Sequence, residues 1–286
     1  MTRRTRGLIA INVGALLFGS AALYGKLAAS PVWIVAARAA CAAATLGLIA
    51  RARREHSLPP PPLRARTAAT GAALALHWVS FFAAVQEAGV AVATLTFAVF
   101  PLFTVLIESR AQRRRPRGAE LAAGAAIVAA VALLVDPRGH GGRLGGAFCG
   151  LFSALAFAWF SHSSKRLGEA LSPLRVSLWV NAAVTLLLVP FLFFSRPVPS
   201  GPAAWLCLAF LGIVGTALMH QLYFYALNRL SAATCGGFVA LEPVYAILLA
   251  ALFFGEPVTG WVAVSAALIV GASFALLRLE GAPALE

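Results

Sequence analysis

The chain has 286 residues, 60% of them hydrophobic and 12% charged, with a net charge of +13 and a mean hydropathy of +0.85. A soluble domain carries roughly 25% charged residues, so this composition lacks the polar groups to cover a water-facing surface. It excludes a soluble enzyme and points to a bilayer.

A membrane helix needs about 20 apolar residues. Ten such runs follow one another, at about 7–27, 31–50, 68–88, 91–109, 118–136, 144–163, 174–194, 204–228, 232–254 and 258–278. Helices are expected because each backbone group must pair within its own segment; the alternating ten-residue strands of a barrel do not occur. The first run follows Arg3, Arg4 and Arg6 and continues past Tyr24 with no clear cleavage site, so it reads as a span rather than a secretion signal. The second run carries Arg38. The longest gap, Arg51–Thr67, holds five arginines and the Pro59–Pro62 run, and reads as a loop with no room for a catalytic domain.

The third run contains His77-Trp78-Val79-Ser80-Phe81-Phe82, and the fourth contains Phe97, Phe100 and Pro101. Trp159 falls in the sixth run and Trp179 in the seventh. His220, Tyr223 and Tyr225 fall in the eighth, and Glu242-Pro243 in the ninth. Ionisable groups inside spans are costly and mark functional positions, which makes Arg38, His77, His220 and Glu242 candidates. Arg38 suits a substrate carboxylate or a gate partner. His77 can donate, accept and titrate near neutral pH. Against each stands a structural reading: a helix–helix hydrogen bond, a tether to backbone carbonyls, or support for a helix break. Proline removes a donor and frees a carbonyl one turn earlier, so Pro101 and Pro243 are expected bend points. Trp78, Phe81, Phe97, Phe100, Trp159 and Tyr223 are candidates for the wall of a binding cavity, since interfacial belts place Trp and Tyr at the rims instead.

The four cysteines, Cys41, Cys149, Cys207 and Cys235, lie far apart with no metal-binding spacing. No phosphate loop, zinc motif or nucleophile elbow is present. The sequence therefore implies no cofactor, no metal and no catalytic residues, and it argues against a pump driven by ATP within the same chain.

Charge sets the expected orientation. With ten spans, one side holds 18 Lys and Arg: three before the first span, five in the 2–3 loop, five in the 4–5 loop, three in the 6–7 loop, and Arg229 and Arg278. The other side holds four: Lys26, Arg138, Arg143 and Arg196. Positive charge stays in the cytoplasm, so both termini are expected there, in a plasma or inner membrane. The basic face suits anionic lipid headgroups and requires no nucleic acid; no obligate protein partner is evident.

Residues Phe81–Asp136 and Tyr223–Arg278 superimpose without a gap at an offset of 142, placing Phe82 on Phe224, Ala91 on Ala233, Pro101 on Pro243 and Gly118 on Gly260. The expected fold is therefore all-α, with ten transmembrane helices in two five-helix repeats, 1–140 and 141–286. Five spans precede the second repeat, so it is inverted. Repeats of this kind are the pattern of many secondary transporters, whose substrate site lies between the halves.

The arrangement resembles the drug/metabolite transporter superfamily and its ten-span EamA-type branch. The resemblance rests on Phe18-Gly19-Ser20, on Arg38, and above all on Leu241-Glu242-Pro243-Val244 through Phe254-Gly255-Glu256-Pro257 to Gly260. The first half departs from it, with Phe100 where the second has Glu242 and Arg114 where it has Glu256. The His77–Phe82 run looks like the aromatic-amino-acid exporters of the YddG type. The resemblance implies a central cavity walled by spans 1–4 and 6–9, with spans 5 and 10 outside, and efflux of amino acids or related metabolites. The alternatives are a carrier of nucleotide sugars, drugs or lipids, and an integral-membrane enzyme. A phosphate-bearing substrate favours several cavity cations, and only Arg38 is clearly intramembrane; an enzyme needs clustered carboxylates or histidines, and His77, His220 and Glu242 sit on separate spans.

Overall fold

A computed structural model describes residues 2–135, 142–227, 229–230, 235, 238–239 and 241–280. The described residues form helices and no strands. They are α1 (Arg3–Ala21), continued by a 3-10 turn (Ala22–Lys26), α2 (Pro31–Ala52), α3 (Pro61–Phe97), α4 (Phe100–Ala111), α5 (Gly118–Val135) and α6 (Gly142–Gly168). There follow α7 (Pro173–Leu192), α8 (Gly201–Gly212), a π-helix (Ile213–Leu218), α9 (Met219–Leu227), α10 (Glu242–Phe254) and α11 (Gly260–Glu280). Among them six helical stretches are long and apolar enough to cross a membrane, and three more are apolar but shorter. The expected boundary between the repeats at 140/141, Ala233 and the start of the ninth run lie outside the described residues, as does the side chain of Phe224.

The outer surface is apolar. Leu48 is 71% exposed, Leu252 75% and Phe194 88%, and so large an unpartnered apolar surface belongs in lipid, not water. The interior holds small residues that let helices approach closely. A Cβ on Gly71 of α3 would lie 2.6 Å from the Ala183 Cβ and 3.2 Å from the Val180 carbonyl oxygen of α7. A Cβ on Gly212 of α8 would lie 2.5 Å from the Cys41 Cβ and 2.6 Å from the Arg38 carbonyl oxygen of α2.

The boundaries differ from the sequence reading in particular places. The Arg51–Thr67 loop is shorter than expected, because α2 runs to Ala52 and α3 begins at Pro61, where proline fits the first helical turn. The 37 residues of α3 would measure about 55 Å at ~1.5 Å per residue, against a hydrocarbon core of about 30 Å. They are two limbs, 61–88 and 90–97, divided at Gly89, whose φ of 86° and ψ of 170° are not helical. The chain turns back there, since the rings of His77 and Phe97 lie with centroids 4.9 Å apart. The eighth run is not one regular helix either: a π-helix separates α8 from α9.

Several boundaries recur at the offset of 142. Ser30 accepts from the Trp33 N–H ahead of Pro31, and Ser172 accepts from the Arg175 N–H ahead of Pro173, which caps α2 and α7 alike. α4 and α10 start at Phe100 and Glu242, and α5 and α11 at Gly118 and Gly260. The left-handed residues Arg113 (φ 53°) and Gly255 (φ 64°) close α4 and α10. α3 packs on α6, α2 on α7, α1 on α9 and α10, and α11 on α5.

Candidate functional site

The centre of the site is Arg38 on α2. Its side chain is buried, and an unpaired buried guanidinium is very costly. The π-helix meets it. Arg38 Nε donates to Thr216 Oγ1 at 2.7 Å, and Arg38 Nη2 donates to the Gly215 carbonyl at 3.4 Å. Thr216 Oγ1 in turn donates a hydrogen bond to the Leu211 carbonyl, 3.0 Å away. A π-turn widens the helix and leaves such groups turned off the regular ladder. The guanidinium carbon lies 3.9 Å from the centroid of the Trp78 ring on α3, a cation–π contact. Of the candidates from the sequence, Trp78 is the one in contact with it among the described residues.

Glu242 opens α10 directly after Leu241, whose ψ of −5° ends the preceding turn. Its side chain is buried, yet among the described residues nothing hydrogen-bonds its carboxylate. With Phe97, Phe100, Pro243 and Ser273 it lines a cavity of about 10 Å³, room for about one water at most. The break before Pro101 is similar, with ψ of −2° at Ala98 and −12° at Val99. Ser273 Oγ on α11 donates to the Ala98 carbonyl at 2.9 Å, meeting an acceptor exposed beside the break.

His77 is placed differently from Arg38. Ser153 Oγ donates to the His77 carbonyl at 3.0 Å, so the hydroxyl proton is used. His77 Nδ1, 2.7 Å from the same oxygen, is then the donor of the second bond. The two residues satisfy one another and join α3 to α6. The imidazole is packed among Phe81, Phe97 and Phe157, while Phe97 stacks on Phe100 at 5.4 Å. Of the expected aromatic wall, Phe81, Phe97 and Phe100 pack ring against ring and Phe157 joins them, while the Trp78 ring meets the Arg38 guanidinium.

Trp159 is not among them. It is 53% exposed, two residues beyond Phe157 and so on the opposite face of α6. Trp179 lies by the α2–α3 loop, donating to the Ser57 carbonyl at 3.0 Å, and Tyr225 is exposed under the Arg229 guanidinium. Tyr223 packs with Leu222 and Phe238 around Ala10, Ile11 and Ala226. His220 Nδ1 and the adjacent Gln221 Nε2 are buried without hydrogen-bond partners among the described residues; such groups are uncommon and expensive. No cluster of three potential metal ligands is present among the described residues.

The EamA-like transporter family model matches residues 5–136 and again 144–278. The chain belongs to the EamA-like transporter family. Two curated relatives of this EamA-like transporter are similarly distant over four-fifths or more of their length. The uncharacterized transporter YxxF of Bacillus subtilis (strain 168) is 23% identical over 259 residues, covering 88% of this chain and 83% of that one. A probable terminal-alkyne amino-acid exporter of Streptantibioticus cattleyicolor is 27% identical over 253 residues, covering 86% and 80%. A solved crystal structure, 22% identical, superimposes with a TM-score of 0.68 over 98% of this chain and all of the other, which shows the fold alone. The transporter is thus a multi-pass membrane protein. Ser153, Thr216, Gln221 and Phe157 were not legible as site residues, because nothing in a uniformly apolar run marks one face from another.

Proposed function

We propose that the chain is a ten-span secondary carrier of two inverted five-helix repeats, with both termini in the cytoplasm of a plasma or inner membrane. It exports small amphipathic metabolites by alternating access, amino acids foremost and aromatic ones in preference. The observation that carries this reading is the Arg38 guanidinium, buried over the Trp78 ring, in a molecule whose Glu242 is also buried, beside Phe97 and Phe100. A zwitterionic amino acid needs a cation for its carboxylate, an anion for its ammonium and an apolar wall for its side chain. Arg38, Glu242 and the Trp78–Phe81–Phe97–Phe100 wall supply these from α2, α10, α3 and α4. The amino-acid exporter among the relatives supports the substrate class. Pro101 and Pro243 serve as bend points.

Purified carrier in liposomes, with and without a proton gradient, tests this. Labelled phenylalanine and tryptophan are expected to outcompete alanine, because each buried ring contributes about 1.5–3 kcal/mol of apolar transfer. Equal transport of alanine and tryptophan would defeat the aromatic wall. Transport of a nucleotide sugar alone would replace the amino-acid reading.

A further inference from the structure

Away from Arg38, a groove of about 260 Å³ runs between α1 and α9, lined by Ile9, Ala10, Val13, Leu222, Tyr225 and Arg6. Every one of these side chains is apolar or aromatic except Arg6, which sits in the first turns of α1, where that helix enters the bilayer. A second cation flanks the same end. The Arg229 guanidinium carbon lies 3.5 Å from the centroid of the Tyr225 ring, and Arg229 Nη1 donates to the Tyr225 carbonyl at 3.0 Å. The Arg229 Cβ rests on the backbone of Gly7, 3.0 Å from where a Cβ would stand. Among the described residues no carboxylate pairs with Arg6 or with Arg229.

Arg229 meets α1 at Gly7, the residue after Arg6, so both cations stand at this end of the groove, and the repulsion between like charges there is relieved by a shared anion. Guanidinium binds phosphate through parallel N–H···O bonds and is less strongly hydrated than an ammonium. Below the two cations the groove offers only hydrocarbon, open along one side. An occupant that fits both parts has an anionic phosphate at one end and an acyl chain at the other. We propose that the α1–α9 groove binds one anionic glycerophospholipid, its phosphate between Arg6 and Arg229 and an acyl chain along Ile9, Val13 and Leu222. Charge complementarity selects the occupant here: an apolar groove with one arginine in its lining and a second stacked on the Tyr225 ring that lines it. The occupant also holds α1 against α9, so the lipid sets how readily those two helices separate.

Native mass spectrometry of the detergent-purified full chain tests the site, with phosphatidylglycerol and phosphatidylcholine offered in equal amounts. One phosphatidylglycerol should be retained in preference. Each basic residue near an anionic surface is worth ~1 kcal/mol, so Arg6→Gln and Arg229→Gln should each lower that preference about fivefold. Arg6→Lys and Arg229→Lys should keep most of it. Val13→Trp and Leu222→Trp fill the groove and should abolish retention with both arginines present. Glycerol phosphate, which has the headgroup without the tail, should not compete. The proposal is overturned by equal retention of the two lipids, by retention that survives both glutamine variants, by displacement with glycerol phosphate, or by a second copy of the chain occupying the groove.

Discussion

Glu256 ties three segments together at one end of the molecule, and its removal has a magnitude that the geometry supplies. The carboxylate pairs with Lys26 at the end of the 3-10 turn after α1. It also accepts from the Val90 N–H, at 3.1 Å from Oε2. Val90 opens the second limb of α3, so Glu256 caps a helix that Gly89 leaves without a side-chain cap. The Lys26 and Glu256 side chains are 31% and 21% exposed, and a pair so wet is worth ~0.5 kcal/mol. A hydrogen bond to a charged acceptor is worth about 1.5–3 kcal/mol. Lys26→Met is therefore expected to cost about 0.5 kcal/mol. Glu256→Gln, which keeps an acceptor for Val90, should cost about 1 kcal/mol, and Glu256→Ala about 2–3 kcal/mol. Reversible unfolding of the purified carrier in mixed micelles gives the three values. If Lys26→Met costs as much as Glu256→Ala, the ion pair and not the helix cap holds this end, and the reasoning fails.

Four further outcomes are expected. Ser153→Ala should cost about 1–3 kcal/mol by stranding the His77 groups, and His77→Ala in that background should add little; a change in KM without a change in stability would make His77 a substrate ligand instead. Arg38→Lys should lower transport while preserving the folded amount, because an ammonium cannot both stack flat on Trp78 and reach Thr216; transport equal to wild type would remove Arg38 from the site. Pro101→Ala and Pro243→Ala should slow transport with substrate binding largely kept, measured as a fall in turnover at constant affinity. Single cysteines at Ser57 and Ser200 should label from opposite sides in intact cells, and labelling of both from outside would reject the proposed orientation.

What was legible in the sequence was whatever carries its own local cost. A charge within an apolar run, as at Arg38 and Glu242, is expensive wherever it lies, so it stands out without a structure. The breaks before Pro101 and Pro243 follow from a missing donor, and the starts of α2 and α7 from a serine before a proline. Faces were not legible. Trp159 and Phe157 sit in one unbroken apolar helix, and lipid and interior make no different demand on their composition. Trp179 was assigned to mid-span by hydropathy alone, whereas its N–H reaches the Ser57 carbonyl of a loop. The π-helix gave no signal either: Ile213–Leu218 is ordinary helical sequence, and its extra width is sustained by the arginine that it binds.

That π-helix can also be read as a count of residues. Gly71 and Gly212 meet equivalent partners: Val180 and Ala183 for the first, Arg38 and Cys41 for the second. The partners are 142 positions apart, but the glycines are 141 apart. The missing position returns before Tyr223, where the offset of 142 resumes, and the π-helix lies between. One residue has therefore been inserted in α8–α9 relative to α3. Each residue of an α-helix turns the next by about 100°, so without the insertion Thr216 and the Gly215 carbonyl would be rotated away from Arg38. At the position matching Arg38 the second half has Val180, which needs no such partners. The two stretches that match the same family model thus differ at this centre by a single arginine in one and a single added residue in the other.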